Sequence, residues 1–199
     1  MKEKPILFCT EMVRAILDGR KTMTRRVIKL DLSNADMDIN DKNYLKIMDK
    51  QMDYRDAKDF CRYQPGDTLW VRETFCEVPY EYNHISIKNG HITIPKIAYK
   101  ADSETDYTGI WKPSIHMPRI AARIFLKVKD VWVERVQDIG INEIMQEGVK
   151  AVGPLTWTCV DYLETFEELW NSTIKKQDLN KYGWEANPWV WVIEFERVV

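Results

Sequence analysis

Four cations and two hydroxyls fall within the eight residues Gly19-Arg20-Lys21-Thr22-Met23-Thr24-Arg25-Arg26. The formal net charge of the whole chain is −2, so this run is a local concentration of positive charge and not a consequence of composition. Arginine offers a planar fork of donors and lysine a compact charge, both suited to phosphate or carboxylate, and Thr22 and Thr24 add hydroxyls. Gly19 fits the left-handed position that closes a helix, which would swing the following residues out across the body of the fold. On spacing alone, the same run also fits a solvated basic turn.

The elements that must position this run follow from the rest of the chain. At 199 residues and 23.6 kDa, the length suits one domain, 1–199, with insertions and a core that needs no staples. Hydrophobic residues at 45% and charged residues at 30% are ordinary globular usage, and no apolar run is long enough to cross a membrane. Few apolar residues follow Met-Lys-Glu-Lys-Pro, too few for a signal peptide, so a cytoplasmic protein is expected. Cys9, Cys61, Cys76 and Cys159 form no C-x-x-C pair, and His84, His91 and His116 are scattered. Neither a metal site, nor a cofactor, nor a disulfide framework is expected from that spacing.

Pro5 to Cys9 reads as a buried strand, followed by a helix capped by Thr10, with Met12, Val13, Ile16 and Leu17 as its apolar stripe. Thr24 to Leu30 reads as extended, with Val27 anchored inward. Residues 31–62 change character and read as a peripheral insertion with helix between 42 and 60. Gln64-Pro65-Gly66-Asp67 is a turn into a strand at Thr68 to Glu73. A second insertion covers 78–94, with a hairpin tip at Lys88-Asn89-Gly90-His91. Ile97 to Lys100 is a further strand and 102–109 a loop. Trp111 to Arg119 is irregular between two prolines. Alternation from Ile120 gives a strand that bends near Asp130 and runs to Val136. Short helices are expected at Ile141 to Glu147, closed by Gly148, and at 161–172. Trp189 to Arg197 reads as a strand with one buried face. Five to seven strands that do not alternate with helices disfavour a parallel sheet. The fold class expected is α+β, a small mixed or antiparallel β-barrel with flanking helices.

The first strand, the helix and Gly19 to Arg26 together resemble the signature of the ASCH domain, a relative of the PUA RNA-binding fold. Pro65-Gly66-Asp67 with Leu69 to Glu73, the run Ser114 to Arg119, Glu147-Gly148, Phe166 to Trp170 and Trp189 to Phe195 extend the resemblance. It covers nearly the whole chain outside the two insertions, and the subgroup resembled is common in phage and prophage genomes. The resemblance implies a PUA-like barrel with a cleft beside the first helix, and RNA or a modified nucleoside as partner. One bacterial branch is similar to amidohydrolases that deacetylate N4-acetylcytidine through a lysine, a threonine three residues later and a glutamate. Lys21 and Thr24 match the first two positions. Glu147 is the match for the third, with Glu73 as its rival.

Amide hydrolysis needs a nucleophile, an acceptor for its proton and a donor for the leaving amine. Thr24 would supply the oxygen. Lysine normally titrates near 10.4, and burial with Arg20, Arg25 and Arg26 nearby would bring Lys21 down towards a base. Glu147 would prime a water or protonate the amine. A binding module would instead place Arg20, Lys21, Thr22, Arg25 and Arg26 on phosphates and stack Trp70 or Trp111 on a base, with His116 and Arg119 beside it. RNA cleavage is the third reading, with cations stabilising charge at phosphorus and His116 or a carboxylate moving protons.

Overall fold

A computed structural model describes residues 2–30, 35–37, 45–48, 54–77, 86–88, 91–93, 97–102, 110–150 and 159–198. The hairpin tip at 89–90, most of the 102–109 loop and His84 lie outside them. Strand β1 (Glu3–Leu7) leads into helix α1 (Thr10–Leu17) and strand β2 (Met23–Val27). The cap of α1 is Cys9, whose backbone is extended and makes no side-chain cap bond, so Thr10 is the first helical residue and not the cap. Val13, Ala15 and Ile16 are its buried face.

Where described, the 31–62 region holds no α-helix. It forms the antiparallel strands β3 (Ala35–Met37), β4 (Leu45–Met48) and β5 (Tyr54–Asp56), followed by a single 3-10 turn at Ala57–Phe60. Apolar Leu45 and Ile47 flanking Lys46 have a period of two, which a strand satisfies and a helix does not. Nor is its end peripheral: Ala57 is fully buried, and its carbonyl accepts the Trp191 indole N–H at 3.1 Å.

Strand β6 (Thr68–Arg72) follows, then β7 (Phe75–Glu77), the hairpin β8 (Ser86–Lys88) and β9 (His91–Thr93), and β10 (Ile97–Tyr99), which pairs with β7. The long strand β11 (Phe125–Arg135) begins after a 3-10 turn at Arg119–Ala121, later than alternation from Ile120 suggested. Its register shift between Val128 and Asp130 is the expected bend. Helix α2 (Ile141–Gln146), helix α3 (Cys159–Thr173), the short α4 (Leu179–Tyr182) and β12 (Trp189–Val198) complete the chain.

The fold is α+β. Its main sheet has the order β1-β6-β11-β12-β2, with β1 and β6 parallel and the other pairs antiparallel. Among the described residues no backbone ladder joins β1 to β2, so the sheet does not close into the expected barrel. Arg26 bridges that seam, donating to the Leu7 carbonyl at 2.8 Å.

Strand β12 explains how the two faces are used. Ile193 and Phe195 pack with Ile6, Leu69, Val71 and Leu126 on one side. Val190 and Val192 pack with Ile144, Phe166 and Trp170 of α2 and α3 on the other. The first half of this strand is therefore buried on both faces, where the sequence suggested one. The short, polar-flanked helices 141–147 and 161–172 gave no sign that they cover the second face. Phe195→Ala should cost about 3–5 kcal/mol in a urea denaturation series, while Glu196→Ala, at an exposed position one residue on, should stay within about 0.5 kcal/mol.

Candidate functional site

After α1, Gly19 takes the left-handed conformation at φ 75°, and the backbone N–H groups of Arg20 and Lys21 both donate to the Ala15 carbonyl, at 2.9 and 3.0 Å. This tight closure delivers Lys21 to the start of β2. The C-terminal end of α2 meets it there, because Thr22 N–H donates to the Gln146 carbonyl at 2.8 Å. Gly148, at φ 94°, permits the approach. A Cβ at that position would lie 2.8 Å from the Ala15 Cβ and 3.1 Å from the Lys21 Cβ.

The basic run consequently points inward, onto carboxylates. Lys21 Nζ donates to Glu147 Oε2 at 2.6 Å, to the Glu147 carbonyl at 2.8 Å and to the Met23 carbonyl at 2.7 Å. Its three protons thus have three acceptors, with both side chains almost wholly buried. Burial pushes Lys21 below the ordinary lysine range; Glu147 opposes that shift and Arg26 and Arg25 add to it. Arg20 takes no part, because its guanidinium sits on the Gly148 carbonyl at 2.7 Å and on Asp18 at 2.9 Å.

Arg25 is buried among three carboxylates, 2.6 Å from Glu134 Oε1, 2.6 Å from Glu143 Oε2 and 3.2 Å from Glu147 Oε1. Each oxygen of Glu147 therefore faces one cation. Burial raises Glu134 above the usual carboxylate range against the pull of Arg25 and of the Trp132 indole N–H, which donates to it at 3.0 Å. Arg26 turns to the seam and lies 5.3 Å above the Phe8 ring. The three carboxylates here share two cations, Lys21 and Arg25. Among the described residues no group of His, Cys, Asp or Glu side chains is arranged to hold a metal ion.

A cavity of about 30 Å³ opens beside this cluster. Thr24, Arg25, Arg26 and Glu147 form its polar wall, and Phe166, Leu169 and Trp170 of α3 face Met12 of α1 as its apolar wall. Thr24 and Glu147 thus share one wall, while Lys21, which is not among the lining residues, reaches it only through its contact with Glu147. Glu73 is elsewhere, held by Arg123 at 2.9 and 3.0 Å, with Arg123 also paired to Asp102. None of Trp70, Trp111, His116 and Arg119 lines the cavity. Trp70 lies on the outer side of β6, Trp111 is half-buried beside the bridge between Lys112 and Phe75, His116 is exposed, and Arg119 pairs with Glu3.

Sequence reading missed Glu134, Glu143 and Trp170. Glu143 and Glu147 stand four apart and so share one face of α2, a signal present in the sequence but overshadowed by the cations. Glu134 follows the buried Val131 and Val133 in a strand, and a charge in such a place needs a partner.

No protein-family model matches the sequence, and no curated protein is similar to it at a significant level. The chain is similar to two solved structures. One is a crystal structure of the hypothetical protein PH0355, 14% identical, covering 100% of both chains at a TM-score of 0.35. The other is an ASCH domain from Lactobacillus crispatus, 10% identical, covering 98% of this chain and 79% of that one at a TM-score of 0.39. Similarity at this level adds nothing to what the side chains themselves say.

Removing one partner of the buried pair isolates its contribution. Glu147→Ala should cost about 3–5 kcal/mol by leaving Lys21 charged and unpaired, and the double variant Lys21→Met/Glu147→Leu should recover most of that loss. The pH dependence has a definite sign. Because folding lowers the Lys21 pKa, the unfolded chain holds the extra proton between that lowered value and about 10.4. The Lys21 contribution is therefore present above about 10.4 and lost as pH falls through the folded value, and Lys21→Met should flatten that rise in denaturation midpoints.

Proposed function

We propose that this chain is a nucleoside-recognising ASCH-type domain that hydrolyses the amide of an N4-acylated cytidine. The observation that carries this reading is the buried contact of 2.6 Å between Lys21 Nζ and Glu147 Oε2, because Glu147 shares the wall of a cavity with Thr24. A lysine whose proton is destabilised by burial, in direct contact with a carboxylate, is a proton-transfer pair. The resemblance of Gly19 to Arg26 to the ASCH signature supports the same assignment.

Lys21 passes a proton to Glu147, and the neutral amine takes the Thr24 hydroxyl proton as Oγ1 attacks the acyl carbon. Arg26, which also lines the cavity, stabilises the oxyanion. The C–N4 bond breaks while Glu147 returns its proton to N4, releasing cytidine with its amino group. Glu147 then takes a proton from water, hydroxide attacks the acyl-threonine ester, and Glu147 returns that proton to the departing Thr24 oxygen as the carboxylic acid leaves. Neither Lys21 nor Glu147 changes its net protonation over the cycle.

The cavity volume limits what enters. A cavity of about 30 Å³ is more than one water requires and suits the acetyl end of the substrate better than a whole base. On this reading the acyl end enters the cavity and the pyrimidine lies outside it.

RNA binding without hydrolysis uses fewer of these groups, since Lys21 and Arg25 spend their charge on carboxylates. Incubation of the full chain with N4-acetylcytidine should release cytidine and acetate, with Lys21→Met and Thr24→Val each slowing release by about 100-fold or more. Absence of release, or equal release by Lys21→Met, would remove the hydrolase assignment.

A further inference from the structure

The apolar side of the cavity is built largely by one face of α3. Phe166, Leu169, Trp170 and Thr173 all line it, and steps of three, one and three residues put them on the same side of a helix. Two of them are locked in place. Phe166 and Trp170 are 2% and 5% exposed. The Phe166 ring meets the Trp184 ring edge-on at 5.9 Å, and the Trp170 indole N–H donates to the Tyr182 carbonyl at 3.0 Å. Leu169, with Met12 of α1, is only half-buried, so these two side chains form the rim. The Thr173 hydroxyl donates to the Trp170 carbonyl at 2.7 Å and is spent there.

We infer that this face of α3 selects the acyl group by length, with Leu169 as the specificity-determining side chain and the buried Trp170 as the fixed surface behind it. The inference rests on the hydrolase assignment and names what that same site discriminates. It concerns the acyl group alone and makes no use of the base or the sugar.

With the acyl carbon at Thr24 Oγ1, the remainder of the acyl group has only the cavity to enter. A volume of about 30 Å³ takes about two water-sized groups, which an acetyl methyl and its carbonyl fill. One further methylene must push against side chains that are already packed. Met12 is unbranched and flexible and can give way. Leu169 is branched and stands next to Trp170, which does not move, so it meets the added carbon. A formyl group enters easily but leaves the apolar wall without a contact. One methylene more or less in such a pocket changes kcat/KM by about 10–200-fold.

The test compares kcat/KM of the full chain for N4-formyl-, N4-acetyl-, N4-propionyl- and N4-butyrylcytidine, followed by cytidine release. The parent should prefer acetyl over propionyl by about tenfold or more, with butyryl poorer again. Leu169→Ala should erase most of that preference by raising the propionyl and butyryl rates, and Leu169→Phe should move the preference towards formyl. Each ratio is taken within one variant, so a loss of folded protein lowers every substrate alike and leaves the ratio unchanged. Equal rates for all four substrates in the parent, or an acetyl-to-propionyl ratio unmoved by Leu169→Ala, overturn the inference and leave the hydrolase assignment standing. Cytidine release from none of the four removes both.

Discussion

The structure depends on burying two adjacent cationic side chains, those of Lys21 and Arg25, beneath the junction of α1, α2 and the main sheet. A lone charge in such a place is prohibitively costly, so the carboxylates of Glu134, Glu143 and Glu147 are needed for the fold itself. Glu147 occupies the decisive position because each of its oxygens answers a different cation. Through it the end of α2 is tied to the start of β2, and Gly148 allows the backbones to come close enough for that tie.

This constraint also organises the second layer. Strand β12 is buried on both faces only because α2 and α3 cover the side that does not pack against Ile6, Leu69 and Leu126. The ionic cluster sits where those layers meet the edge strand β2, which pairs with β12 and, among the described residues, with no other strand. Burial at that junction lowers the proton affinity of Lys21, and Glu147 opposes the shift.

Much of this was legible in the residues. Gly19 and Gly148 announced the helix closures, and the alternation in β6, β11 and β12 gave the main strands. The inward turn of Gly19 to Arg26 was not legible from charge alone, since solvated and buried cations look alike until their partners are placed. Those partners lie more than a hundred residues away, on α2 and β11, and only the sheet order brings them near. The helix expected between 42 and 60 misled at Leu45–Met48, where mixed lysine and apolar residues suit a helix by composition but their period of two suits a strand. Trp70, His116 and Arg119 were singled out by type as ligand-contacting groups, yet alternation within β6 places Trp70 on the far side of the sheet. The face of a strand, fixed by a single buried neighbour, decided more than residue type did.

The central claim is that Lys21 is a buried lysine whose proton affinity is set jointly by burial and Glu147. An NMR titration of the Lys21 ε-methylene, in the parent and in Glu147→Gln, measures that directly. The account predicts a midpoint below the usual value of about 10.4, falling further when the carboxylate is replaced. A midpoint at the usual value, unmoved by Glu147→Gln, would contradict it.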